Sequence, residues 1–92
     1  MPDEGIGQQH HQLLKAIDEV ARRDADGVAT TYRAAQMAGL NMVGKEADRQ
    51  EFLRLARDLK EAGYVDAYAI TYMGLRASYS ITEEGSRCLE ET

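Results

Sequence analysis

The sequence predicts a single α+β domain in which three helices precede a two-stranded antiparallel hairpin and a last helix. Two observations lead to this class. Apolar residues recur at helical spacing up to Gly63, and after it the apolar period changes from 3.6 to 2. The length of 92 residues allows one domain and excludes a multidomain enzyme.

The first helix is predicted over about 10–23. Its apolar residues fall on one stripe, and charged residues occupy the other face. The stripe consists of Leu13, Leu14, Ile17, Val20 and Ala21. Residues 1–9 are polar and contain the only proline, so we expect a disordered leader before a domain that covers 10–92.

A short extended segment at 28–30 and a second helix at about 31–39 follow a turn at 24–27. Thr30 or Thr31 is the expected cap, and Gly39 suits the left-handed residue that ends a helix. This helix is weakly amphipathic. Its expected apolar positions are Tyr32, Ala35, Met37 or Ala38, and Leu40.

The third helix is predicted over 48–62, with an earlier start at Lys45 as the alternative. The start at 48 is predicted from a capping box, in which the side chains of Asp48 and Glu51 each bond a backbone amide. At 100° per residue, one face of this helix turns to the core. That inner face consists of Phe52, Leu55, Ala56 and Leu59.

A hairpin and a last helix complete the chain. Residues 64–72 (YVDAYAITY) are rich in aromatic and β-branched side chains, which favours a strand. Residues 73–76 supply the reversal, and 77–81 (ASYSI) form the second strand. Thr82 then caps a helix at 83–91, whose early glutamates favour the positive end of its dipole.

This order of elements, together with two junctions, resembles the winged helix-turn-helix domains of bacterial MarR- and PadR-like regulators. Residues 55–65 (LARDLKEAGYV) are similar to the family's recognition helix and its passage into the first wing strand. Residues 79–89 (YSITEEGSRCL) are similar to the segment that leaves the wing. The resemblance covers about 12–90 and implies DNA binding. The segment 41–47 is longer than the families' usual connection between helices 2 and 3.

The face of the third helix opposite the core carries side chains that can read DNA. Gln50, Arg54 and Arg57 form a stripe at i, i+4 and i+7. Each of these side chains can make two hydrogen bonds to the edge of a purine base in the major groove. The other reading is a solvated face with intrahelical ion pairs. Further cations are candidates for phosphate contacts, with the last at the wing tip. They are Arg33, Lys45, Arg49 and Arg76.

The charge balance excludes indiscriminate coating of DNA. The formal net charge is −5, which repels a polyanion. The acidic excess lies at the two ends, since 1–27 and 83–92 each carry −3 whereas 28–82 carries +1. DNA affinity is therefore expected to be local, salt-sensitive and dependent on a dimer that contacts two half-sites.

The remaining signals point away from catalysis and metals. Cys88 is the only cysteine, which excludes an internal disulfide and a cysteine zinc site, and makes the cytoplasm the expected compartment. His10 and His11 point about 100° apart on a helix, so we expect a solvated helix start. No cofactor, membrane segment or catalytic motif is indicated, and the protein is not expected to be an enzyme.

Two functions remain in competition. The first is a small transcriptional regulator that binds double-stranded DNA as a homodimer, with helix 48–62 in the major groove and the 64–81 hairpin as wing. Helix 1 or the exposed part of the last helix would supply the dimer surface. The second is a winged-helix module that binds another protein and leaves DNA untouched, which the acidic charge favours.

Overall fold

Four helices and three strands follow one another in the computed structural model, which describes residues 7–71 and 76–90. The elements are α1 (Gln8–Arg23), β1 (Ala29–Thr30), α2 (Thr31–Met37), α3 (Glu46–Glu61), β2 (Val65–Thr71), β3 (Arg76–Ile81) and α4 (Glu83–Glu90). The predicted α+β class is confirmed. Residues 1–6, 72–75 and 91–92 lie outside the described ranges, and they include 73–75 of the turn predicted at 73–76.

Several boundaries differ from those predicted, mostly by one or two residues. Gln8 and Gln9 belong to α1 rather than to a leader, and Gly7 stands at its N-cap. Arg76 is the first residue of β3 instead of part of the turn. The sheet has three strands in the order β1-β3-β2, all antiparallel, so the segment before α2 extends the hairpin.

Two amphipathic helices build the core as their spacing predicted. The apolar stripe of α1 is buried throughout. The buried residues of α3 are Phe52, Leu55, Ala56 and Leu59. Phe52 has no exposed surface and meets Tyr79 of β3 edge to face, with ring centroids 6.0 Å apart. This contact links α3 to the centre of the sheet.

The inner face of α2 is only partly the one that was predicted, since Ala35 is buried and Ala38 and Leu40 pack half-buried against the core. Tyr32 and Met37 are 46% and 43% exposed, and the buried residues of α2 are Thr31, Ala34 and Ala35. Small side chains let this helix of 7 residues lie close to α1, so the bulky residues turn outward. Gly39 does adopt the predicted left-handed conformation, with φ of 85°.

The side chain of Thr31 replaces a backbone partner in the sheet. Ala29 pairs with Tyr79 and Thr30 with Ser78, so Thr31 would face Ala77 if β1 continued. Instead α2 begins, and the buried Thr31 hydroxyl accepts from the Ala77 amide (3.0 Å) and donates to its carbonyl (3.3 Å). Both Ala77 backbone groups therefore stay bonded where the ladder ends.

The third helix takes the earlier of its two predicted starts. It begins at Glu46 after Lys45, and the capping box is wrong because Asp48 lies inside the first turn. The Asp48 carboxylate instead accepts a hydrogen bond from the Asn41 amide at 2.8 Å. The bond ties the connection between α2 and α3 to the helix that follows it.

The two junctions that carry the family resemblance touch each other. The Thr82 hydroxyl donates to the Gly63 carbonyl (2.6 Å) and accepts from the Gly85 amide (3.0 Å), which confirms Thr82 as the cap of α4. The Thr82 amide donates to the Tyr64 carbonyl at 3.1 Å. A Cβ added to Gly85 would stand 2.2 Å from that same carbonyl oxygen. Only glycine fits this approach.

Replacing Gly85 with alanine is expected to lower the free energy of unfolding by about 1–3 kcal/mol, because backbone atoms must move to admit the methyl group. Urea denaturation followed by circular dichroism measures the effect. The matched control is Ser86→Ala, at an exposed neighbour in α4, with an expected change under about 0.5 kcal/mol. Equal stability of the two variants would contradict the close approach.

Candidate nucleic-acid interface

An open groove of about 690 Å³ runs between the outer face of α3 and the sheet. Gln50, Arg54 and Arg57 line its helical side, and Ala67 and Ile70 of β2 line the other. The helix presents these polar side chains because its apolar residues are turned into the core. The structure thus brings the three stripe residues together in one groove, beside the strand that was predicted to form the wing.

The two stripe arginines are exposed but already have acidic partners. The Arg54 side chain is 45% exposed, with Nη2 at 2.9 Å from Glu51 and Nη1 at 3.8 Å from Asp58. The Arg57 side chain is 66% exposed and has Nε at 3.8 Å from Asp58. Exposed pairs of this kind contribute little to stability, so a stronger anion can displace the carboxylates.

A second group of contacts occupies the first turns of α3. The Gln50 amide donates to Glu46 at 2.8 Å, and Arg49 pairs with the same carboxylate. These hydrogen bonds, with that of Gln50 the larger cause, lower the pKa of Glu46. Glu46 therefore stays ionised beside the two side chains that the sequence assigns to bases and phosphates.

The four other predicted contacts do not line the groove; Arg49 pairs with Glu46, and the remaining three lie elsewhere. Arg33 of α2 faces a separate surface with Arg23 and Met37, near the end of α1. Arg76 lines a hollow between β3 and the start of α2. Lys45 precedes α3, is exposed and makes no ion pair within residues 7–71 and 76–90. Their roles in phosphate binding stay predictions.

Lys60 is a groove residue that the sequence analysis missed. It lies three positions after Arg57 on α3, is exposed, and has no carboxylate partner in the described part of the chain. The i, i+3 spacing from Arg57 was a signal for it. With Lys60, the described residues that line the groove include three cations and one carboxylate, that of Glu51.

The expectation of a solvated start for α1 is wrong at His10. Its ring Nε2 lies 2.9 Å from Asp58 Oδ2 on α3, and the His10 side chain is only 18% exposed. This hydrogen bond is the largest cause of a lowered pKa for the Asp58 carboxyl, and the charges of His10, Arg57 and Arg54 add to it. Asp58 is therefore a carboxylate shared between two helices.

Removing the imidazole is expected to raise the pKa of the Asp58 carboxyl towards its ordinary value. Because the folded pKa is lowered, this carboxylate stabilises the fold above its unfolded pKa, and the contribution is lost as pH falls through the folded pKa. Carbon-detected NMR titration of His10→Ala measures the shift. His11→Ala is the control, and an Asp58 titration unchanged in His10→Ala would exclude the contact.

The fold is that of a winged helix, with a helical core, a hairpin wing and a short third strand. A solved structure titled as transcriptional regulator PA4135 is similar to it, with a TM-score of 0.66 over 95% of this chain and 17% sequence identity. The match covers 54% of that chain, so this chain spans about half the length of PA4135. No protein-family model and no curated protein sequence matches the chain.

No helix within residues 7–71 and 76–90 is long and apolar enough to cross a membrane. Within the same residues, no cluster of three or more His, Cys, Asp or Glu side chains is arranged to hold a metal ion.

Proposed function

We propose that this chain is the DNA-binding domain of a transcriptional regulator, with α3 in the major groove and the β2–β3 hairpin as wing. The observation that carries the proposal is the groove between α3 and the sheet, lined by Gln50, Arg54 and Arg57. The similarity of fold to a protein titled as a transcriptional regulator supports the same function. The MarR- and PadR-like resemblance is consistent with it.

The outer face of α3 has the chemistry that base reading requires. Glutamine presents a donor and an acceptor to adenine, and arginine presents two donors to guanine. Both residue types stand on a rigid helix whose inner face is buried, so their positions are fixed relative to the wing. The carboxylates of Glu51 and Asp58 weaken non-specific attraction to phosphates, which favours discrimination between sequences over tight binding.

The proposed regulator acts as a dimer. In one copy of this acidic chain, few lysines and arginines lack a neighbouring carboxylate, so a single copy is expected to bind DNA weakly. Two copies on a palindromic site double the contacts and multiply the affinity. The apolar stripe of α1 is buried in the core of its own protomer. The outer surface of α1 is therefore polar and offers little apolar area for a dimer contact. Helix α4, with Cys88 and Leu89 half-buried, is the better candidate for the dimer contact.

The double substitution Arg54→Ala/Arg57→Ala is expected to weaken DNA binding about tenfold or more, since it removes two groove cations that can contact bases or phosphates. Fluorescence anisotropy with labelled genomic fragments at low and moderate salt measures the loss and the salt slope. The charge-matched control is Arg22→Ala/Arg23→Ala on α1, whose side chains are 77% and 68% exposed and lie outside the groove.

Two outcomes would count against the DNA proposal. Equal losses in the two double variants would mean that net charge, and not the α3 face, determines binding. Absence of binding by the folded wild-type protein at low salt would overturn the function. That result would favour a protein-binding module, for which Tyr68 and Ile70, each 50% exposed on the edge strand β2, offer an apolar surface.

Light scattering on the free protein and on the protein with a palindromic duplex is expected to give the mass of two chains per duplex. Replacing Leu89 with lysine at the proposed α4 surface should lower this stoichiometry, while Lys15→Glu on the outer face of α1 should not. A single chain bound per duplex in the wild type would contradict the dimer.

A further inference from the structure

The contact between His10 and Asp58 reaches the proposed DNA-binding face from another part of the fold. The two residues are 48 positions apart, and their bond joins the first turn of α1 to the second half of α3. The ion pairs of Arg49, Arg54 and Arg57 described above, in contrast, stay within α3. Through Asp58, the imidazole of His10, which lies outside the groove, is connected to the arginines that line the groove.

Asp58 is the point of connection because one imidazole and two guanidinium groups compete for its carboxylate. Its Oδ2 atom lies 2.9 Å from His10 Nε2 and 3.8 Å from Arg54 Nη1. Its Oδ1 atom lies 3.8 Å from Arg57 Nε. One negative charge is thus shared between the imidazole and the two guanidinium groups that line the groove.

We propose that His10 is a positioning residue that controls, through Asp58, how available Arg54 and Arg57 are to DNA, so that affinity rises as the pH falls. The inference rests on the proposed function and names a regulation of that same site. When the imidazole is neutral, the Asp58 carboxylate attracts the two arginines. When the imidazole is protonated, it compensates the carboxylate, and the arginines are free to contact phosphates and bases.

Histidine suits this role because it ordinarily changes charge between pH 5 and 8, where aspartate and arginine keep theirs. His10 and His11 are the only residues of the sequence whose side chains have this ordinary range. Linkage requires the reverse effect as well: bound DNA draws the arginines from Asp58 and so favours a proton on His10.

The other elements packed against α1 bring no competing charge into contact with His10 within residues 7–71 and 76–90. On α4, Arg87 is occupied by Glu83 and Glu84, at 3.9 and 3.6 Å. Arg33 of α2 lies beside Arg23 at the far end of α1, and β1 has no charged residue. The charged residue of β3, Arg76, lines the hollow at the start of α2. Asp58 is thus the ionisable partner of the ring.

Fluorescence anisotropy with a labelled mixed-sequence duplex, at pH 6 and pH 8 and constant ionic strength, tests the inference. The wild-type affinity is expected to be at least about fivefold higher at pH 6, the lower end of ordinary coupling between sites. His10→Gln retains an N–H donor for Asp58 but does not titrate, so most of the pH dependence should vanish. Asp58→Asn should bind more tightly than the wild type at pH 8 and respond weakly to pH.

His11→Gln is the matched control, since it removes one titrating imidazole from the adjacent position and should keep the wild-type pH profile. Thermal unfolding of every variant confirms that the folded protein is compared. A wild-type pH profile in His10→Gln, or an equal loss in both histidine variants, would overturn the role of His10 while leaving DNA binding intact. Absence of binding at either pH would overturn the proposed function as well.

Discussion

The packing of the inner face of α3 against the core is the constraint on which the rest of the structure depends. Phe52 is fully buried and meets the ring of Tyr79 edge to face, so the rotation of α3 about its axis is set by the central strand of the sheet. A helix with a fixed rotation presents a fixed outer face. Gln50, Arg54 and Arg57 occupy the groove for this reason, and a turn of the helix about its axis would remove them from it.

The outer face of α3 carries arginines and carboxylates in contact with each other, and so it is not a simple basic patch. Glu51 and Asp58 contact the groove arginines at 2.9 and 3.8 Å, and Glu46 holds the Gln50 amide at 2.8 Å. Each carboxylate is exposed to solvent to some degree, so these contacts exchange readily for those of an incoming phosphate or base. Under the proposed function, DNA would bind only where contacts with the duplex are more favourable than the internal ion pairs that they replace.

Two side-chain hydroxyls join the helical part of the fold to the wing. Thr31 bonds both backbone groups of Ala77 where β1 turns into α2, and Thr82 links the end of β3 to Gly63 at the end of α3. Both are hydrogen bonds to backbone atoms, which tolerate few alternative geometries. Thr31 thereby attaches β3 to the start of α2, and Thr82 attaches the end of β3 to the turn that follows α3.

Sequence alone predicted the class of fold, the stripe of α1, the buried face of α3 and the cap at Thr82, because each depends on spacing within one segment. It predicted the buried face of α2 only in part, since seven residues give a weak period: Ala35 is buried as expected, but Ala34 is buried in place of Tyr32. Lys60 could have been found from its i, i+3 spacing to Arg57, but its place in the groove also depends on the sheet that packs beside α3. The contact of His10 with Asp58 depended on the tertiary structure, because it joins two helices across 48 positions and no local pattern encodes such a distance.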